Sequence, residues 1–333
     1  MEIRGASRIA GIGAYLPPQR VHSDDLMREV RCDRFGIPDN YISKHIGITE
    51  RRWADHSQNP SELATLASEV ALRNSGVTAD EIDLIVFAGI SKDCEEPSTA
   101  HFVQNNLGAK NAICMDVSNA CLGFLTAMSI ADAFIAGGRA SSVLVCTGEM
   151  QSRVIKEGMS RVWEITGKEE FREKLGFLTA GDGGGAMVIQ ASDGDSQGWK
   201  WLKFHSNGVH AHLCQYRLDF DGIHGQMLMK EISREIVEMH SKNIGYAYEK
   251  LEWTPGDVDK LYCHQVGERP HRWMVKLAGK EAESAPTTYE KFGNLTSATF
   301  PINMHINPPS RGEKLLLLGT GSGLSICQGG MIF

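Results

Sequence analysis

The stretch Thr78-Ala-Asp-Glu-Ile-Asp-Leu-Ile85 resembles, 176 residues later and about half the chain on, Thr254-Pro-Gly-Asp-Val-Asp-Lys-Leu261, a weak internal repeat. Each copy follows a long amphipathic stretch, 61–74 or 226–251, and leads into an apolar run, 82–88 or 261–263. The same spacing brings Ser118-Asn-Ala-Cys121 close to Gly293-Asn-Leu-Thr296, two small-residue turns that open apolar helical runs. The strand-like run 143–147 is matched in the same way by 315–318. Two copies of a β/α unit, packed as pseudo-repeats, are the economical reading. Continuous apolar strands alternating with helices predict a buried, mostly parallel sheet covered by helices. The halves fall at 1–190 and 191–333. Segment 151–177, charged and carrying Trp163, interrupts the first half as a lid over a cleft or a solvated helical insertion.

Working outward, the whole chain of 333 residues is long enough for a large core. Hydrophobic residues at 42% and charged residues at 23% are ordinary for a globular protein and exclude disorder as the main state. A net charge of −7 leaves no broad basic field for nucleic acid. The eight cysteines form no CxxC pair, so zinc-ribbon and thioredoxin-type readings have no support, and a reducing cytoplasm fits. The best apolar helix, 120–136, is too short for a membrane span and contains Asp132.

Cys121 stands out by position. The strand Ile113-Cys-Met-Asp-Val117 ends, a small-residue turn follows, and Cys121 begins a helix. A helix N-terminus favours the thiolate, which suits a covalent nucleophile. A buried structural cysteine is the competing reading. His264 follows the strand 261–263, at the end of a strand where open α/β sheets bind ligands. Asn294 sits in the turn that the repeat matches to the Cys121 turn, so two pseudo-symmetric halves bring Cys121, His264 and Asn294 to one crevice. The glycine-rich turn 319–325 lacks GxGxxG spacing and suits close backbone approach to an oxyanion better than a dinucleotide. Gly181-Asp-Gly-Gly-Gly-Ala186 reads as tight β-packing. His205, His210, His212 and Cys214 form a cluster without a recognised metal-ligand spacing, so no metal site is assigned.

Taken together, these motifs resemble the thiolase superfamily, specifically its ketoacyl synthase III branch. Gly47-Ile-Thr-Glu-Arg-Arg52, Asp116-Val-Ser-Asn-Ala-Cys-Leu-Gly-Phe124, Gly181–Ala186, His264-Gln265, Gly293-Asn294 and the 319–325 turn follow the family's order along almost the whole chain. The resemblance implies a five-layered αβαβα fold with two mixed sheets, and a homodimer. It implies that Cys121 takes an acyl group from a thioester. His264 and Asn294 would hold the second thioester's carbonyl as it becomes enolate-like, and the backbone N–H groups of Cys121 and Ser322 would bind the acyl oxyanion. Acyl-CoA or acyl carrier protein enters as substrate, with no separate cofactor. Asp93-Cys-Glu-Glu-Pro-Ser-Thr-Ala100 looks like the OleA-type enzymes, which join two acyl-CoA molecules head to head without decarboxylation. There a glutamate, here Glu96, reaches from one subunit towards the partner's cysteine as a base; the competing reading is an exposed acidic loop. Positions aligned with the family's coenzyme A grip are Tyr41, His45, Lys174 and Arg269, and the first three depart from its usual residues. The leading alternative is decarboxylative condensation of acyl-CoA with malonyl-acyl carrier protein. More distant ones are acyl transfer to an oxygen or nitrogen acceptor and a non-catalytic partner subunit.

Overall fold

The structure, a computed structural model, describes all residues except Met1, Arg4, 161–163, Asp193, Asp195, Phe220 and Asp221. Trp163 therefore lies outside the described residues. The strands are β1 Glu2–Ile3, β2 Ser7–Tyr15, β3 Gln19–His22, β4 Glu50–Trp53, β5 Leu84–Ala88, β6 Ile113–Val117, β7 Ser142–Glu149, β8 Gly183–Ala191, β9 Gly198–Ser206, β10 Cys214–Asp219, β11 Gly222–Met227, β12 Lys260–Cys263, β13 Lys314–Gly321 and β14 Ser325–Ile332. The helices are α1 Ser23–Glu29, α2 Pro60–Ser75, α3 Thr99–Leu107, α4 Gly123–Ala136, α5 Gln151–Ser160, α6 Lys168–Lys174, α7 Met229–Leu251, α8 Glu268–Leu277, α9 Tyr289–Phe292 and α10 Thr299–Ile306.

Two five-stranded sheets form, in the orders β2-β8-β7-β5-β6 and β1-β9-β14-β13-β12. Residue alternation in the strands builds the layers. Leu84, Val86 and Ala88 of β5 turn into a shared core with α4, Phe300 and Met304 of α10, and Leu315 and Leu317 of β13. The alternate residues Ile85 and Phe87 pack outward with α2 and α3. Leu316 and Leu318 pack outward with α7 and α8. The order is therefore helices, sheet, α4 and α10, sheet, helices: a thiolase-like α/β fold. Each fully buried apolar side chain contributes on the order of 2 kcal/mol.

The sheets are mixed, which corrects the mostly parallel reading. β5 runs parallel to β6 and β7, and β12 to β13; β8 and β14 run antiparallel to both their neighbours. Apolar runs report burial on both faces, and here antiparallel strands also have helices on both faces. The glycines of 181–186 are tight packing, as read. A Cβ on Gly184 would stand 2.0 Å from the Leu63 carbonyl oxygen, and one on its register partner Gly148 1.9 Å from that of Pro60, so α2 lies with its backbone directly on the sheet.

The repeat extends into local detail. Thr78 with Glu81, and Thr254 with Asp257, form capping boxes on two short 3-10 turns 176 residues apart. Helix α7 starts at Met229, later than the reading from 226, because Gln226 and Met227 pair with β10. Segment 151–177 forms α5 and α6. Its Ile155, Ile165, Phe171 and Leu175 bury against Leu26, Met27, Ile42 and Trp53 as a cap of their own.

Candidate active site

From β6 the chain enters a tight elbow: Ala120 takes φ +47°, a 3-10 turn covers Ala120–Leu122, and α4 begins at Gly123. A left-handed non-glycine residue costs about 1–2 kcal/mol. The matching turn of the second half has the same feature, since Thr296 takes φ +49° ahead of α10. Structurally Ala120 corresponds to Thr296 and Cys121 to Ser297. The two elbows hold one another: the Ser297 hydroxyl donates to the Ala120 carbonyl oxygen at 2.9 Å. Gly321 closes the third side, where a Cβ would lie 2.9 Å from Leu122 Cβ and 3.0 Å from the Asn119 carbonyl oxygen.

Two cavities meet at this point. One of about 860 Å³ runs past Asp93, Cys94, Glu95, Arg153 and Phe177. The other, about 100 Å³, lies among Ile232, Ile236, Trp273 and Met274 of α7 and α8. Cys121, Cys214, Met227, Asn294 and Ser322 line both. His264 lines the smaller one, so four of the sequence-predicted residues, Cys121, His264, Asn294 and Ser322, share one wall.

Asn294 is fixed by backbone on three sides. Its N–H donates to the Thr179 carbonyl (2.9 Å), its carbonyl accepts from Gly181 (3.1 Å), and its Oδ1 accepts the Thr296 N–H at 3.0 Å. With Oδ1 occupied, Nδ2 is the group left to donate to a ligand. His264 is buried, and burial pushes its imidazole down to about 4, so it is neutral at pH 7. Its Nδ1 faces the Thr299 hydroxyl at 3.4 Å, and that hydroxyl donates to the Thr296 carbonyl at 2.9 Å. Thr299 is thereby the acceptor towards Nδ1, and Nε2 keeps its lone pair free for a proton.

The Cys121 thiol differs from the sequence expectation. Burial raises it well above the usual thiol range, and Cys214 and Glu149 add to this; its own backbone N–H opposes them weakly. Desolvation outweighs the helix terminus, and the resting sulfur is a neutral thiol. The buried Glu149 ends β7 and accepts the N–H groups of Ile90 (3.0 Å) and Ser91 (3.2 Å), pinning the loop that walls the larger cavity.

The remaining predicted residues stand apart. Glu96 is exposed, and Glu95 rather than Glu96 lines the larger cavity of its own chain. The Tyr41 and His45 rings lie 4.9 Å apart, tilted by 44°, beside a turn that leans on the start of α8, where Arg269 is exposed. Lys174 meets Glu170 at 3.4 Å on α6. None of these four lines either cavity. The histidine cluster disperses: His210 pairs with Glu235 at 3.3 Å and His212 contacts the Val209 carbonyl. Only Cys214 of that group reaches the site. Thr299 and Glu149 carry no sequence signal of their own, because their partners lie 35 and some 58 residues away in the chain, while Thr296 acts locally through its backbone N–H, which any residue but proline would supply.

A thiol and a neutral imidazole on one cavity wall, between two sheets of this topology, define a condensing acyltransferase of the thiolase type. Family models for 3-oxoacyl-[acyl-carrier-protein] synthase III match residues 115–208, and for its C-terminal region residues 248–332, jointly more than half of the chain. The chain is 29% identical over 335 residues to β-ketoacyl-[acyl-carrier-protein] synthase III of Ehrlichia canis, covering 96% of this chain and 97% of that one. It is 28% identical to the Clostridium novyi enzyme of the same name, with 96% of each chain covered. Among solved structures, Xanthomonas campestris OleA with bound cerulenin superposes with a TM-score of 0.92 at 28% identity, covering 99% of this chain and 98% of that one. A cysteine-to-serine OleA variant with bound lauric acid and lauroyl-CoA gives 0.91 at 28%, covering 99% and 100%. The protein belongs to the 3-oxoacyl-[acyl-carrier-protein] synthase III family and is a carbon–carbon bond-forming acyltransferase with OleA-like features.

Proposed function

We propose that the chain condenses two acyl-CoA molecules head to head, without decarboxylation, to a β-keto acid. The observation that carries this reading is that a cavity of about 860 Å³ and a smaller recess between α7 and α8 meet at Cys121, so two groups can approach one sulfur. The OleA-like sequence around Glu96 supports it. In the first half-reaction the Cys121 sulfur attacks the thioester carbonyl and its proton passes to His264 Nε2. The backbone N–H groups of Cys121 and Ser322 bind the oxyanion, and the proton leaves with the coenzyme A sulfur. In the second, a base removes an α-proton from the other thioester, whose oxygen accepts from Asn294 Nδ2, and the carbanion attacks the acyl carbonyl. The Cys121 sulfur leaves and recovers a proton with His264 Nε2 as the relay, and water then cleaves the remaining coenzyme A thioester to give the β-keto acid.

The base is Glu96 of a partner subunit in a homodimer. Supporting this, Ile113 on the outermost strand β6 is 66% exposed and Phe102 on α3 is 37% exposed. The loop bearing Glu96 joins β5 to α3 beside that edge. Tyr41, His45, Lys174 and Arg269 form an altered grip for the carrier. We place the protein in the cytoplasm; its cysteines are unpaired. The chemistry needs side chains and thioesters and no further cofactor.

Incubation with a panel of acyl-CoAs, with and without malonyl-acyl carrier protein, followed by product mass spectrometry, tests the reading. Products of two intact acyl chains from acyl-CoA alone are expected, and Glu96→Gln should nearly abolish them while Cys121 still acquires an acyl group. Product formed only with malonyl-acyl carrier protein, and unaffected by Glu96→Gln, would instead establish the decarboxylative reaction. A malonyl carboxylate about 6 Å from Glu96 would be repelled by roughly 3 kcal/mol at an effective dielectric of ~20, which favours the first outcome.

A further inference from the structure

Four of the eight cysteines are buried in the core; Cys94, Cys114, Cys121 and Cys214 are at least partly accessible. Three of those four, Cys94, Cys121 and Cys214, line the larger cavity, and Cys121 and Cys214 line the smaller one as well. The accessible thiols thus gather where acyl chemistry takes place, yet the condensation described above has no use for Cys214. This residue opens β10, and Met227, its register partner on β11, also lines both cavities. Burial raises the Cys214 thiol above its usual range, and a hydrogen bond with the Ser322 side chain opposes that only in part. Cys214 lies near enough to Cys121 that a thiolate on either sulfur would disfavour one on the other, more than Glu149 does. Burial disfavours charge on both sulfurs, and a sulfur–sulfur bond carries none.

We propose that Cys214 is a modification site of the catalytic cavity, at which a hydroperoxide couples it to Cys121 as a disulfide. The Cys214 sulfur attacks the outer peroxide oxygen; the oxygen–oxygen bond breaks, leaving a sulfenic acid on Cys214 and releasing water or an alcohol. The Cys121 thiol then attacks that sulfur. The sulfur–sulfur bond forms, the sulfur–oxygen bond breaks, and hydroxide leaves with the Cys121 proton as water. Two thiols are oxidised by two electrons and the peroxide is reduced by two. The disulfide withholds the nucleophile from acyl-CoA and from irreversible oxidation, and a thiol reductant returns it.

The test reads mass, so it stands whether or not the head-to-head reaction does. The reduced protein, freed of reductant, is treated with hydrogen peroxide, quenched with N-ethylmaleimide and mapped without reduction. A peptide joining Cys121 to Cys214 is expected, with a loss of two hydrogens from the intact chain. Acylation of Cys121 should fall by more than about tenfold and recover with dithiothreitol. Cys214→Ser should give no such peptide and should collect oxygen on Cys121 that dithiothreitol does not remove. Wild type alkylated at Cys121 beforehand should also form no link, a control that needs no variant. Oxygen adducts on Cys121 of the wild type with no linked peptide would overturn the proposal. So would a link from Cys121 to Cys94 that persists in Cys214→Ser.

Discussion

Cys121 and His264 are both driven towards their neutral forms by the same cause, loss of water around them. The pair is therefore a thiol and an imidazole at rest, and proton transfer accompanies attack rather than preceding it. Histidines held neutral also tie stability to pH. His264 is pushed from 6.5 to about 4 and His240, on the buried face of α7, to about 3. Their folded values lie below the unfolded one, so the unfolded chain binds protons that the native state refuses. The stability is fully present above pH 6.5 and falls by about 1.4 kcal/mol per unit and site below it, until the folded value is reached. Asp182, pushed up to about 6 by burial, has the opposite sign and loses stability as pH rises from 3.8 to 6. Urea midpoints at pH 7.5 and 5.5 should fall less in His240→Gln than in the wild type. Equal falls would show that His240 stays protonated or solvated in the native state.

At the level of elements, the elbow before α4 and the helix α2 depend on absent side chains. Gly148 and Gly184 are paired on β7 and β8, and both lie under the first turns of α2. Gly184→Ala puts a methyl 2.0 Å from the Leu63 carbonyl, a backbone atom with no rotamer to yield. Overpacking of this kind costs typically 1–3 kcal/mol or more, and here it pushes α2 off the sheet. A thermal midpoint lowered by several degrees, or failure to accumulate folded protein, is expected; an unchanged midpoint would mean that α2 moves freely. Segment 151–177 illustrates what its sequence hid. Its charge suggested solvation, but α5 and α6 bury Ile155 and Phe171 in a separate cluster while Arg153, Val154 and Phe177 wall the larger cavity.

For the whole molecule, the proposed homodimer would join assembly to chemistry at the exposed edge of β6. Ile113→Lys places a charge on that edge, where a pairing strand would have to bury it. Sedimentation or size-exclusion should then report a monomer. If Glu96 acts across subunits, the monomer should still acylate Cys121 but lose condensation together with dimerisation. A monomeric variant that condenses at the wild-type rate would place the base within one chain.

The repeat at 78–85 and 254–261, the elbow at Cys121, the glycines of 181–186 and the joint order of the motifs are all local patterns. They were legible because turn chemistry, capping and close backbone approach are written in neighbouring residues. Strand direction was not, since an apolar run reports burial on two faces whichever way its neighbour runs. Nor was the protonation of Cys121, which follows from the packing of distant segments around the sulfur rather than from its place before a helix. Thr299 behind His264, 35 residues away, exists only once the second half has folded, and Cys214 and Cys121 share a cavity wall only once the two halves have come together. Sequence determined which groups are present and how each meets its chain neighbours; the tertiary structure decided which of them face one another and how much water is left between them, and that fixes their charge.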